Sequence, residues 1–173
     1  DDFQCSQTDN PAPPRTPRQS HGAGAAMIAH GDPFRRRHPK SIQDRVHGQI
    51  QLDGLLVAIM DTAEFQRLDH IKQLGGCCYV YPSATHTRRQ HSLGVAHLAA
   101  LMGRHLQGQD DAVTTRDVEC LELAGLLHDI GHGPFSHLFE VYAHECMDAT
   151  WSHETMGALI VRDLLGRMEV PEA

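Results

Sequence analysis

Apolar and polar residues alternate over residues 46–52, and this period of two predicts a short strand. Apolar residues recur at helical spacing further along. Two short helices are predicted over residues 55–60 and 65–71, broken near Asp61-Thr62, and longer ones over residues 91–106, 115–128, 135–143 and 152–165. The glycine-led run 75–82 predicts a second strand, one half of a small hairpin. The pattern therefore predicts a mainly α fold with a small β-hairpin.

The first 40 residues differ in composition from the rest. They hold six of the nine prolines and the run Arg35-Arg36-Arg37, and they show no apolar period. We therefore predict a disordered tail over residues 1–40 and one domain over residues 41–173. The tail carries 6 basic and 4 acidic residues, whereas the remainder carries 9 basic and 18 acidic residues. Such an acidic body argues against broad nonspecific nucleic-acid binding by the folded part.

The cysteines and the apolar runs indicate the compartment. Five cysteines without CxxC spacing, in a chain without a signal peptide, predict reduced thiols in an intracellular protein. No apolar run has the length that a transmembrane helix needs, so no membrane association is expected.

The segment 126–137 carries the most distinctive chemistry. An adjacent pair, His128-Asp129, follows an apolar run, and two further histidines follow within nine residues of His128. Imidazole and carboxylate together suit a divalent metal. On an ideal helix the two adjacent side chains would point about 100° apart. Both can reach one ion only if the helix ends there, and two glycines and a proline provide that ending. His91, which opens an earlier predicted helix, is a candidate third ligand.

These segments resemble the HD-domain deoxynucleoside triphosphate triphosphohydrolases, above all the eukaryotic members that combine a SAM and an HD domain. The match runs in one order from about residue 40 to about residue 165 and covers the N-terminal part of the family's catalytic domain. The matching segments are Asp61-Thr62, Phe65-Gln66-Arg67-Leu68, Ile71-Lys72-Gln73-Leu74-Gly75-Gly76, Tyr79-Val80, Arg88, His91-Ser92-Leu93-Gly94-Val95, Ala124-Gly125-Leu126, His128-Asp129, Gly131-His132-Gly133-Pro134-Phe135-Ser136-His137, Trp151 and His153-Glu154.

The resemblance implies an HD-domain helical fold, apparently truncated, and a metal-dependent reaction. In that reaction a deoxynucleoside triphosphate, such as dGTP, and water give a deoxynucleoside and intact triphosphate. His91, His128 and Asp129 take the positions of three metal ligands, for zinc, iron or manganese, while magnesium accompanies the triphosphate. The family's fourth ligand, an aspartate, lies further downstream than Ala173, so the resemblance predicts an incomplete metal site in this sequence.

The resemblance also assigns roles to other residues. His137 takes the position of the general acid, and Glu140 that of an aspartate which orients it. His132 and His153 match histidines that contact phosphate, and Arg88 matches a phosphate-binding arginine. Histidine suits proton transfer near neutral pH, and guanidinium suits bidentate phosphate contact.

An activator site is implied as well. Relatives bind guanine nucleotide at a site that drives homo-oligomer assembly, and a nuclear location is favoured by the same resemblance. The possible allosteric residues are Lys40, Asp61, Gln66 and Arg67, with Val80 and Tyr81 at a second nucleotide site. Asp69 stands where the family has an arginine that contacts the activator. Because this reverses a charge facing a triphosphate, we expect weakened activation.

Two other functions remain open at this point. An HD nucleotidase or phosphodiesterase is one, although Gln73 and Leu74, which match residues facing the sugar, and His137 argue against it. A leucine at that position can exclude a 2′-hydroxyl by bulk. A non-catalytic or decayed nucleotide-binding module is the other, supported by the absent downstream aspartate and by Asp69. Nucleic-acid binding through the basic tail is a weaker alternative.

Overall fold

The computed structural model describes residues 38–52, 54–147 and 150–168. The predicted disordered tail lies almost wholly outside these residues. The fold is mainly helical with one small sheet, as predicted.

The sheet is an antiparallel hairpin of β1 (Lys40–Asp44) and β2 (Gly48–Leu52), in which Ile42 faces Ile50. The Asp44 carboxylate accepts hydrogen bonds from the backbone amides of Val46 and His47, each 2.8 Å long, which closes the turn. The predicted strand is therefore confirmed from Gly48 onward. Its partner β1 lies where the sequence pattern predicted no strand.

Two short helices follow the hairpin. Helix α1 (Gly54–Met60) and helix α2 (Ala63–Gln66) are separated at Asp61-Thr62, as predicted, and the Thr62 side chain caps α2 by accepting from the Phe65 amide. A 3-10 helix, Arg67–His70, continues the chain. These elements place the apolar side chains of α1 and α2 in the core.

The predicted second strand is wrong, because Gly75–Tyr79 forms a 3-10 helix. Gly75 has a φ of 55°, and a Cβ there would lie 2.8 Å from the carbonyl oxygen of Phe135. The close approach of these two backbones favours a glycine in this left-handed conformation, and the chain then turns instead of extending. The feature is tertiary and leaves no periodicity in the local sequence.

Four longer helices complete the fold: α3 (Arg88–Gln107), α4 (Thr115–Leu127), α5 (His137–Cys146) and α6 (His153–Arg167). Thr87, Thr114 and Ser152 cap α3, α4 and α6 with their side chains. Each cap satisfies a backbone amide that would otherwise lack a partner at the helix start.

Helices α3 and α4 pack closely against each other. A Cβ at Gly125 would lie 3.0 Å from Ala96 Cα, so the absence of a side chain lets the two backbones approach at the level of the candidate site. The buried core joins the hairpin, α1, α2, α3, α4 and α6; its members include Ile50, Leu52, Ile59, Phe65, Leu68, Leu93, Leu126, Ile130 and Leu164. Among the described helices, none has both the length and the apolarity needed to cross a membrane.

Candidate metal centre and histidine cluster

Three candidate ligands meet where α3 begins and α4 ends; we call His91, His128 and Asp129 the metal triad. His128 Nε2 lies 3.2 Å from Asp129 Oδ2, and His91 Nε2 lies 3.5 Å from the same oxygen. The two imidazole Nε2 atoms are 3.3 Å apart. Helix α4 ends at Leu127, so the adjacent His128 and Asp129 can turn toward one point. The structure thus brings together all three predicted ligands.

The donor set suits a divalent transition metal. The backbone carbonyl of Gly125 lies 2.8 Å from His128 Nδ1, which fixes the proton on that nitrogen and leaves Nε2 as a ligand atom. Burial lowers the pKa of His91, which favours the neutral ligand form. The hydrogen bond to Asp129 raises the pKa of His128, so a metal must displace a proton there.

Arg88 forms a buried ion pair with the triad. Its Nη1 donates to Asp129 Oδ2 over 2.6 Å, and its Nε donates to Ser136 Oγ over 3.0 Å. Burial alone would raise the pKa of Asp129, but contacts with His128, His132 and Arg88 hold it well below its ordinary value. The predicted phosphate-binding arginine therefore also anchors the carboxylate of the candidate metal triad.

His132, His137 and His153, which we call the histidine cluster, lie beside the triad. The rings of His132 and His153 are stacked with centroids 3.9 Å apart, and His137 meets His132 edge-on at 4.8 Å. Burial lowers the pKa of His132, whose ring nitrogens make no well-formed hydrogen bond within the described residues. A buried imidazole in this state can accept a ligand or contact a substrate group.

Glu140 binds the histidine cluster on its outer side. Its Oε2 lies 3.0 Å from His153 Nδ1 but 3.6 Å from His137 Nδ1, so its hydrogen bond goes to His153. Burial would raise the pKa of Glu140, but the contacts with His153 and His137 lower it overall. The resemblance predicts that Glu140 orients His137, but this carboxylate oxygen lies just beyond hydrogen-bond range of the His137 ring.

Asp129 connects the two groups of residues. Its Oδ2 faces the metal triad and Arg88, while its Oδ1 lies 3.4 Å from His132 Nε2. The metal triad and the histidine cluster are therefore neighbouring parts of one candidate site.

The loop over residues 130–136 is held by close backbone packing. A Cβ at Gly131 would lie 2.0 Å from the carbonyl oxygen of His153, and one at Gly133 would lie 2.4 Å from the ring of Phe139. Phe135 and Ser136 have φ values of 61° and 60°, a region that non-glycine residues seldom adopt. Because of this turn, α5 begins at His137, two residues later than predicted.

Two residues support the site in ways that sequence reasoning missed. Arg67 donates to the backbone carbonyl of His132 over 2.7 Å and also to that of Ile130. Ser136 accepts from Arg88 and donates to the Lys72 carbonyl over 2.7 Å. Both residues stand in segments that match the family. Nothing in the local sequence indicates these contacts, because the partners of Arg67 and Ser136 lie far away along the chain.

Of the two predicted sugar-facing residues, Gln73 and Leu74, the first contacts Arg88. The Gln73 carbonyl oxygen is 3.5 Å from Arg88 Nη2. The Gln73 side-chain Oε1 is buried without a partner among the described residues, and Leu74 is 49% exposed. Leu74 therefore lies outside the core and can contact a bound molecule.

The predicted allosteric residues lie in different places. Lys40 pairs with Asp61, and both line a cavity of about 460 Å³ together with Gln66 and Asp69. Arg67 instead contacts the loop over residues 130–136, as described above. Val80 and Tyr81 are exposed and do not line this cavity.

Asp69 forms an ion pair with Arg89 at the same cavity. The Thr87 hydroxyl donates to the other Asp69 oxygen over 3.5 Å. The acidic side chain that departs from the family pattern is thus partly neutralised by a basic neighbour from the start of α3.

Comparison with known proteins agrees with this geometry. The HD domain profile matches residues 88–173, which include the metal triad and the histidine cluster. The chain belongs to the HD-domain family. The resemblance inferred from the motifs is confirmed, since sequence similarity extends to proteins named deoxynucleoside triphosphate triphosphohydrolase SAMHD1.

The relative from Gallus gallus is 44% identical over 139 residues, covering 77% of this chain and 22% of the relative. The one from Homo sapiens is 45% identical over 131 residues, covering 73% of this chain and 21% of the relative. A Dictyostelium discoideum homolog of the same name is 40% identical over 112 residues, covering 64% and 22%. The chain thus spans about a fifth of the length of these relatives.

Proposed function

We propose that this protein hydrolyses deoxynucleoside triphosphates, dGTP among them, to a deoxynucleoside and intact triphosphate in a metal-dependent reaction. One observation carries the proposal: the metal triad and the histidine cluster adjoin each other through the two oxygens of Asp129. This arrangement offers metal ligands on one side and proton donors on the other. The named activity of the SAMHD1 relatives supports the same reaction.

The metal triad would hold zinc, iron or manganese, and magnesium would accompany the triphosphate. A metal bound there would supply Lewis acidity toward a phosphate oxygen and lower the pKa of a bound water. The two imidazoles and one carboxylate of the triad fit this class of ion, with His128 already held in the ligating tautomer by Gly125.

The protein's own residues would bind the phosphates and move the proton. In the proposed reaction a water oxygen bonds to the α-phosphorus, and the bond from that phosphorus to the 5′-oxygen breaks. His137 would give its proton to the departing 5′-oxygen, and its exposed ring is open to substrate. His132 and His153 would donate to phosphate oxygens, while Glu140 holds the His153 ring by its Nδ1. Arg88 would share its charge between Asp129 and the phosphates.

Gln73 and Leu74 would determine whether the site accepts deoxyribose or ribose. The exposed Leu74 side chain offers bulk and no hydrogen-bond partner to a 2′-hydroxyl, which disfavours a ribonucleotide. The adjacent Gln73 Oε1 is a buried acceptor without a partner among the described residues, and it would meet a sugar hydroxyl only if its side chain turned outward.

The test is product analysis by anion-exchange chromatography after incubation with dGTP, manganese and magnesium. We expect equal amounts of deoxyguanosine and tripolyphosphate. His137→Asn should lower the rate by about 10²–10⁴-fold, as loss of a general acid does. His105→Asn is the matched control, because His105 lies exposed near the end of α3. Release of pyrophosphate or single phosphates would instead indicate another HD phosphohydrolase, and binding without turnover would indicate a regulatory module.

We further propose that guanine nucleotide activates the protein only weakly. The cavity that holds Lys40, Asp61 and Asp69 supports a nucleotide site, but the Asp69–Arg89 pair adds no net positive charge for a triphosphate. Asp69→Asn should therefore reduce the GTP concentration that gives half-maximal hydrolysis, whereas Asp111→Asn, on an exposed loop, should leave it unchanged. Equal GTP dependence in the protein and the Asp69→Asn variant would contradict this idea.

The resemblance also leads us to propose assembly into homo-oligomers and a nuclear location. Light scattering with and without GTP tests the assembly, and imaging of the tagged protein in cells tests the location.

A further inference from the structure

A lysine and a cysteine face each other beside the candidate site. Lys72 Nζ donates to Cys78 Sγ over 3.0 Å, and this hydrogen bond raises the pKa of Lys72. Both side chains line a cavity of about 190 Å³, whose other walls include Gly75, Pro134 and Phe135. The cavity therefore lies between the 3-10 helix Gly75–Tyr79 and the loop that leads into α5.

An ammonium group beside a sulfur favours the thiolate, which is the nucleophilic form of cysteine. The adjacent Cys77 provides a natural comparison. It belongs to the same 3-10 helix and is exposed, but no lysine contact is found for it within the described residues. The two neighbouring thiols thus differ in exposure, since Cys77 is exposed and Cys78 is half-buried, and in whether an ammonium group and a cavity adjoin the sulfur.

We propose that Cys78 is a reactive thiol that small soft electrophiles modify covalently, and that an adduct in the cavity shifts the loop carrying Ser136 and His137. In the modification, the Cys78 sulfur attacks the electrophilic carbon. With an alkyl halide, a carbon–sulfur bond forms, the carbon–halogen bond breaks and halide leaves, while the thiol proton passes to the buffer. With an activated alkene, sulfur adds to the β-carbon and water supplies the proton to the α-carbon.

The contacts of the cavity wall explain how an adduct on Cys78 would affect the candidate site. Phe135 and Ser136 hold left-handed φ values, and such conformations persist only where surrounding contacts enforce them. One enforcing contact is the close approach of Gly75 to the Phe135 carbonyl, and both residues line the same cavity as Cys78. Another is the hydrogen bond from Ser136 Oγ to the carbonyl of Lys72.

These contacts continue into the metal triad. Ser136 Oγ accepts from Arg88, and Arg88 holds Asp129. His137 follows Ser136 directly as the first residue of α5. An adduct that displaces Phe135 would therefore move the positions of His137 and Arg88 without contacting either.

The first experiment measures modification alone and does not depend on the proposed hydrolysis. The protein is treated with limiting iodoacetamide, and peptide mass spectrometry gives the separate alkylation rates of Cys77 and Cys78. We expect Cys78 to react about five- to tenfold faster, because the Lys72 ammonium group lies 3.0 Å from its sulfur and stabilises negative charge that develops there. Lys72→Met should make the two rates similar, and Lys72→Arg, which keeps the charge, should preserve most of the difference.

Circular dichroism is the control that shows whether the Lys72 variants are folded. Circular dichroism must show the same helical signal for the protein and for both Lys72 variants, which is expected because the Lys72 side chain is exposed. Equal rates for Cys77 and Cys78 in the folded protein would overturn the proposal. So would a Cys78 rate that Lys72→Met and Lys72→Arg change alike.

The second experiment tests the link to the candidate site through histidine ring NMR signals, which require neither metal nor substrate. In a protein whose other four cysteines (Cys5, Cys77, Cys120 and Cys146) are replaced by serine, alkylation of Cys78 with the bulkier N-ethylmaleimide should shift the ring signals of His132 and His137. The signal of His97 on α3, which packs against His47 of the hairpin turn, should stay in place. Unchanged His132 and His137 signals with a fully formed adduct would overturn the loop displacement, even if hydrolysis itself were absent.

Discussion

Arg88→Met should destabilise the metal-free protein by about 3 kcal/mol. The Arg88 and Asp129 side chains are 2% and 6% exposed, and their ion pair is 2.6 Å long. Removing one partner of a buried pair costs about 3–5 kcal/mol, because the other charge is left without compensation. His128 and His132 still contact Asp129 in the variant, which places the expected loss at the lower end.

Metal should reduce this difference. A divalent cation on the metal triad supplies positive charge to the same carboxylate, so it replaces part of what Arg88 provided. A ligand at a hundred times its Kd stabilises the folded state by about 2.7 kcal/mol. Because Arg88 competes with the metal for this carboxylate, Arg88→Met should bind manganese more tightly than the unchanged protein does, so the stability gap between them should be smaller in saturating manganese than in EDTA.

Urea unfolding followed by circular dichroism, in EDTA and in manganese, measures both gaps. Arg88→Lys should lose less than Arg88→Met, since it keeps the charge but not the donation from Nε to Ser136. Arg104→Met is the control for α3, because Arg104 is exposed, and it should stay within about 0.5 kcal/mol. A loss below about 1 kcal/mol for Arg88→Met in EDTA, or a gap that widens with metal, would refute the reasoning about a buried, uncompensated carboxylate.

Three further predictions concern the loop and the ligands. Gly131→Ala should lose at least about 3 kcal/mol of unfolding free energy or fail to fold, because its Cβ would lie 2.0 Å from a backbone oxygen of α6. By contrast Gly166→Ala, with open space around the added Cβ, should gain about 0.5–1 kcal/mol in the same unfolding assay. Arg67→Met should cost about 1.5–3 kcal/mol and accelerate hydrogen exchange in the loop whose carbonyls it binds; unchanged exchange would contradict that role. Finally, because the contact with Asp129 raises the pKa of His128 above its ordinary 6.5, protonation should begin to oppose metal binding above that pH. Calorimetry should then show manganese affinity falling about tenfold per pH unit as pH drops below the raised value, and a constant affinity down to pH 6.5 would be inconsistent with this.

The sequence predicted the elements whose signals are local. The starts of α4 and α6 follow from capping residues at Thr114 and Ser152, and the break at Asp61-Thr62 is equally local. The hairpin strand β1 was not predicted, since its residues are mostly exposed and depend on pairing with β2. A short glycine-led run such as Gly75–Tyr79 cannot be assigned from its own periodicity when packing against Phe135 decides it.

The candidate site likewise contains residues that the sequence predicted and supporting contacts that it did not predict. The motif made His128 and Asp129 candidate ligands with His91 as a third, whereas the members of the histidine cluster came from the resemblance; the structure shows that the side chains of each group lie close together. The support around them was not predictable. Arg88 contacts Asp129, which lies 41 residues away along the chain. Arg67 donates to the backbone carbonyls of Ile130 and His132, which lie 63 and 65 residues away. Such pairs are set by how α3 and the 3-10 helix Arg67–His70 lie against the end of α4.

The most direct test of the proposed reaction is the fate of a labelled oxygen atom. The protein is incubated with dGTP, manganese and magnesium in water enriched in heavy oxygen, and both products are analysed by mass spectrometry. The account predicts one heavy oxygen atom in tripolyphosphate and none in deoxyguanosine, because water attacks the α-phosphorus and the 5′-oxygen leaves with the nucleoside. Heavy oxygen in deoxyguanosine, or in single phosphate released in its place, would contradict the account.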